Sequence, residues 1–186
     1  LTTLRDKHVK FDKATVWFEF VGKKGVNHKI RLQSKKLVNL IKKCKDIPGQ
    51  ELFQYYDKEG KRHTIGSGDI NNYLKNVSGE DFTAKDFRAW AGSLNALCAF
   101  RDIGEYTNIT DCKRKIVDVL DSVAQKLGNT RSVCKKYYVH PTVIASYEKG
   151  SIWKYKPIKS RNPNFNAEEK ALLKLLTTED IAEVIA

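Results

Sequence analysis

Methionine is missing from this 186-residue chain, and proline, cysteine and histidine occur only four times each. The opening Leu1-Thr2-Thr3-Leu4 is abrupt and, with no Met anywhere, reads as the start of an internal piece of a longer protein. Cys44, Cys98, Cys112 and Cys134 include no C-x-x-C pair, which argues against a structural zinc site; reduced thiols in an intracellular protein are expected instead. His8, His28, His63 and His140 are scattered without the pairing of a metal site or a hydrolase triad. No apolar run approaches the roughly 18 residues of a spanning helix, and the N-terminus lacks a signal-peptide pattern. Gly66-Ser67-Gly68 is too short to cradle a nucleotide. Internal repeats and low-complexity tracts are lacking as well.

What is present in excess is positive charge. Lys and Arg number 34 against 22 Asp and Glu, a formal +12 at pH 7. That surplus implies a polyanionic partner, and with no bilayer segment nucleic acid leads membrane surface. A hydrophobic fraction of 41% and a charged fraction of 30% are ordinary for a folded domain, so disorder is not expected. The length can bury a core without disulfides or a metal.

Periodicity predicts a mainly α protein of α+β class, a helical catalytic domain with a small antiparallel sheet or hairpin at its N-terminal end. Thr15-Val16-Trp17-Phe18-Glu19-Phe20-Val21 is β-branched and aromatic, Gly22-Lys23-Lys24-Gly25 supplies a turn, and residues 26–32 return as the second strand. Ser34 is placed to cap a helix carrying Leu37, Leu40, Ile41 and Cys44 on one face. Further helices are expected from about Asp69, after the cap Thr83 with Asp86 in the reciprocal position, over 110–127 up to Gly128, over 130–138, from Pro141, and from Asn166 with Glu169. Residues 154–164, basic and holding two prolines, read as a linker or surface arm. The expected division is a catalytic domain over 1–153, with a basic linker and C-terminal helices over 154–186 packed on it or appended to it.

Three stretches carry chemistry: Val21-Gly22-Lys23-Lys24, Lys85-Asp86-Phe87-Arg88, and Leu127-Gly128-Asn129-Thr130 through Cys134-Lys135-Lys136-Tyr137-Tyr138-Val139-His140-Pro141. In order and approximate spacing they resemble the catalytic segments of type IB DNA topoisomerases, most closely the bacterial and poxvirus-like branch. The opening residues 1–9 resemble that family's approach to its lysine-bearing hairpin, and the resemblance covers about residues 1–150. It implies that a tyrosine attacks a DNA phosphodiester, forms a 3′-phosphotyrosyl bond and expels a 5′-hydroxyl. The strand then rotates and is resealed, with neither ATP, metal nor any other cofactor.

Such a site has definite needs. A tyrosine hydroxyl, with a pKa near ~10, is a poor nucleophile at neutral pH without cations or an acceptor beside it. The charged transition state suits the paired N–H donors of arginine, and the leaving oxygen needs a proton that a lysine near other cations can give. Chemistry alone leaves Tyr137 and Tyr138 both open; the family register implies Tyr138 as nucleophile. The resemblance further implies Arg88 as the phosphate-clamping arginine and Lys23 as general acid, with Lys24 its competitor. Lys85 either touches the DNA backbone, assists proton transfer or is a surface lysine. Asn129 stands where poxvirus and eukaryotic members carry histidine; it can donate a hydrogen bond to a phosphate oxygen but carries no charge, and it could equally serve as a cap. Lys24, Lys85, Lys135 and Lys136 are the expected DNA-contacting cations. The family's further arginine, which lies on the N-terminal side of the matched segment, has no counterpart here, so the active site is expected to be incomplete, as is the N-terminal DNA clamp.

The partner expected is double-stranded DNA, bound by a monomer with no membrane role; for a bacterial source the location would be cytoplasmic, on the nucleoid. Two other readings stay in play. A tyrosine recombinase or integrase shares the tyrosine, arginine and lysine, but favours His-x-x-Arg where this chain has Lys85-x-x-Arg88. A non-catalytic DNA-binding module would merely neutralise phosphates and never become linked to DNA.

Overall fold

Alternation between core-facing and outward side chains builds the first sheet. In the computed structural model, which describes residues 2–22, 25–157 and 165–179, β1 is Val9–Asp12, β2 is Thr15–Val21 and β3 is Asn27–Gln33. They pair antiparallel in the order β1-β2-β3, with Val9 opposite Phe18 and Phe18 opposite Ile30. Val16 and Phe18 point to one face and are buried, as a period of two requires. On the other face Glu19 pairs with both Lys10 and Lys29, and Trp17 lies under Lys29 and Arg31.

Helix α1, Lys35–Lys45, starts where Ser34 Oγ accepts from the Leu37 N–H. Its buried side chains are Val38 and Ile41, while Leu37 and Leu40 of the expected stripe are exposed. The helix therefore meets the sheet along a narrower i, i+3 row, and the two leucines fall to its flank. A second ribbon, β4 (Gln54–Tyr56) with β5 (Arg62–Thr64), turns through Asp57, whose Oδ1 accepts from Glu59 and Lys61 N–H. Helix α2, Ser67–Ser78, buries none of its residues.

The chain falls into two compact units, Leu1–Thr83 and Ala84–Ala186. The first has a core of Leu4, Val9, Val16, Phe18, Val38, Ile41 and Leu52. The second is helical among its described residues: α3 (Ala84–Ile103), α4 (Ile109–Leu127), α5 (Arg131–Tyr137), α6 (Pro141–Glu148) and α7 (Ala167–Thr178). Expectation and structure agree on a mainly helical chain with a small antiparallel sheet near its N-terminus. The expected domain over 1–153 spans both units, and α7 contributes buried Ala171, Leu172 and Leu175 to the second unit's core.

Each helix of the second unit has an identifiable boundary. Asn108 caps α4 by accepting from Asp111 N–H at 2.9 Å, so the helix starts at Ile109, one residue before the expected 110. Gly128 ends α4 with φ +62°, a left-handed conformation that a side chain resists. Thr130 caps α5, and Asn166 with Glu169 forms the reciprocal cap of α7. The stripe buried on α4 is Cys112, Ile116, Val119, Leu120, Val123 and Ala124, packed against Ala96, Leu97 and Phe100 of α3. Phe100 stacks on Tyr147 at 4.4 Å between ring centroids, and burial pushes the Tyr147 phenol up to about 12.

Candidate active site

Helix α3 sets the frame of the site. It begins directly after Thr83, so Lys85 and Arg88 occupy its first turns and both are exposed. Across from this end, the tight close of α4 at Gly128 returns the chain through Asn129 into α5. The Leu127 carbonyl, left without a helical partner by that turn, accepts from Arg88 Nη2 at 2.7 Å and from Asn129 Nδ2 at 3.1 Å. One backbone oxygen thus joins two of the sequence-selected side chains. The bond uses one of the five N–H donors of Arg88.

Tyr138 stands at the C-terminal end of α5, where the helix stops. Its N–H and that of Val139 both donate to Cys134 O, at 3.0 and 2.9 Å. The Arg88 guanidinium lies over the Tyr138 ring, 5.1 Å from its centroid. Tyr138 is half-buried, whereas Tyr137 is 47% exposed on the preceding position. Lys85 and Lys136 gather at Tyr137 instead, their ammonium groups 4.5 and 5.2 Å from its ring. Lys135 is exposed on α5. Cys134 beneath them is fully buried, and burial pushes its thiol up, which makes it a packing residue and a poor nucleophile.

The structure therefore brings Arg88, Asn129 and Tyr138 together, with Lys85 and Lys136 beside them on the second tyrosine. Lys23 and Lys24 lie outside the described residues; β2 and β3 on either side of them are in place, and Gly22 N–H donates to Val26 O at 2.7 Å. Among the described residues no three His, Cys, Asp or Glu side chains gather as a metal site would need, and no helix is long and apolar enough to cross a membrane. All four cysteines are free thiols.

A family model described as eukaryotic DNA topoisomerase I, catalytic core, matches residues 1–162. The chain belongs to the type IB DNA topoisomerase family. DNA topoisomerase 1B of Acanthamoeba polyphaga mimivirus is 29% identical over 177 residues, a match that takes in 91% of this chain and 49% of that protein. The chain thus spans about half the length of the curated relative it matches.

Within this topoisomerase domain the sequence left two local contributors unseen, and a third, His140, it left undecided. The Leu127 carbonyl carries no side-chain signature, so only the fold reveals that it ties Arg88 to Asn129. Ser93, on α3, bridges the chain around Tyr138. His140 caps α6, its Nδ1 accepting from Thr142 N–H at 3.3 Å; the signal available was its place immediately before Pro141, a favoured first helical residue. Burial holds the His140 pKa below its ordinary value, favouring the neutral ring that this bond needs.

Proposed function

We propose that this chain carries the strand-cutting and resealing centre of a DNA topoisomerase, with duplex DNA as substrate. Tyr138 is its nucleophile and Arg88 its phosphate clamp. The observation that carries the reading is the Arg88 guanidinium 5.1 Å from the Tyr138 ring, on a solvent-facing part of a strongly basic chain.

In the proposed reaction Tyr138 Oη attacks a backbone phosphorus, releasing its phenolic proton to solvent. A P–O bond to tyrosine forms as the P–O bond to the 5′-oxygen breaks. Lys23 supplies the proton that the departing oxygen needs. Arg88 turns N–H donors toward the non-bridging oxygens as charge builds there, and Asn129 adds an uncharged donor. Because one phosphoester replaces another, the linkage energy is kept and the reverse attack of the 5′-hydroxyl reseals the strand without ATP. Lys85, Lys135 and Lys136, with Lys24, contact the flanking phosphates.

The test is relaxation of supercoiled DNA by the intact protein, with EDTA present and ATP absent. Relaxation that disappears in Tyr138→Phe supports the reading; a need for ATP, or a fully active Tyr138→Phe, overturns it.

A further inference from the structure

Between Arg88 and Tyr138 runs a feature that the reaction scheme does not use. One turn beyond Arg88, α3 presents Gly92 and Ser93, both buried although they lie in the same helix as the exposed clamp. Ser93 Oγ donates to the Tyr138 carbonyl at 3.3 Å and accepts from the His140 N–H at 2.9 Å. A single hydroxyl thus spans the two peptide groups on either side of Val139, where the chain leaves α5. Gly92 permits the approach: a Cβ there would collide with the Tyr138 carbonyl oxygen and stand 3.0 Å from both its carbonyl carbon and its Cβ. Its φ is not positive, so the requirement is for space and not for backbone freedom.

We infer that Gly92 and Ser93 are positioning residues for the nucleophile, fixing the distance between Tyr138 and Arg88 through one rigid helix. This rests on the proposal that Tyr138 is the nucleophile. The backbone of Tyr138 is held at both ends, by Cys134 O at its N–H and by Ser93 at its C=O, so its side chain leaves a fixed origin. Arg88, four residues before Gly92, leaves the same helix on nearly the same face. A phosphate gripped by Arg88 therefore meets the phenol at a spacing that α3 sets. In-line attack is sensitive to that spacing, and loss of the bridge loosens the origin of the nucleophile while leaving the cations that bind DNA where they are.

The experiment measures single-turnover covalent capture of a nicked duplex by the intact protein at saturating DNA, with DNA affinity and melting temperature measured separately. Ser93→Ala keeps the helix, removes only the hydroxyl, and is expected to slow capture by about ten- to a hundredfold with affinity within about twofold of wild type. Gly92→Ala, which pushes on the Tyr138 carbonyl, should show the same pattern. A substrate with sulfur in place of the bridging 5′-oxygen separates the two sides of the reaction. Positioning of the nucleophile predicts the same proportional loss on both substrates, because sulfur aids only the leaving group. Wild-type capture by folded Ser93→Ala overturns the inference, as does recovery of its rate on the sulfur substrate, or a loss confined to affinity. Tyr138→Phe is run alongside: capture by that variant overturns the assignment of the nucleophile itself, whereas an inert Tyr138→Phe with a wild-type Ser93→Ala overturns only the positioning role.

Discussion

At the scale of single residues, the site turns on two adjacent tyrosines with different surroundings. Tyr138 is half-buried under Arg88, and Tyr137 is exposed between Lys85 and Lys136. Tyr137 closes α5 and Tyr138 is its non-helical cap, and the two rings meet different cations, so neither can take the other's place at one phosphate. Tyr137→Phe should therefore keep measurable relaxation activity. Arg88→Lys keeps a charge but loses the planar fork, and should slow capture by on the order of a hundredfold with binding largely retained; an unchanged rate would remove Arg88 from the chemistry. Lys23→Ala should cleave slowly and regain most of its rate on the 5′-sulfur substrate, while rescue of Lys24→Ala instead would exchange their roles. His140 offers a pH test. Its folded pKa lies below the ordinary 6.5, so the neutral cap contributes stability at higher pH that is lost as pH falls from 6.5 through the folded value. His140→Asn keeps a capping acceptor that does not titrate. Its melting temperature should fall less than that of wild type between about pH 7 and pH 5; parallel curves would contradict the assignment.

At the scale of elements, the close of α4 does most to assemble the site. Gly128 takes φ +62°, its N–H reaches Gln125 O at 3.2 Å, and Asn129 N–H reaches Ala124 O at 2.9 Å. Gly128→Ala should cost about 1–2 kcal/mol of unfolding free energy, read by denaturant titration. It should also impair capture, because the Leu127 carbonyl and Asn129 move with the turn. Phe100→Ala, remote from the site but fully buried on Tyr147, should cost about 3–5 kcal/mol instead. These elements were legible to different degrees. Gly128, Pro141 and the Asn166–Glu169 cap announce helix ends in side-chain chemistry, and the strand of 15–21 announces itself by β-branched and aromatic content. The inward row of α1 was not legible, since Leu37 and Val38 are equally apolar and only the sheet decides between them. Arg88 and Tyr138 stood out by motif, but the Leu127 carbonyl and the Ser93 bridge depend on which helices cross, and that information is tertiary.

At the scale of the whole molecule, the formal +12 is the charge that the proposed binding to DNA phosphates would use. If phosphate contacts dominate, affinity for duplex DNA should fall steeply with salt, with a log–log slope of about 0.9 per phosphate neutralised. Salt-insensitive binding would mean that the basic residues merely keep the chain soluble. Binding alone does not separate a strand-cutting enzyme from a module that coats DNA; covalent attachment does. The decisive measurement is peptide mapping of the complex trapped when the intact protein meets nicked duplex DNA. The account predicts DNA attached through its 3′-phosphate to Tyr138, and no adduct with Tyr138→Phe. DNA found on Tyr137, or no covalent complex with a folded wild-type protein that binds the duplex, would contradict it.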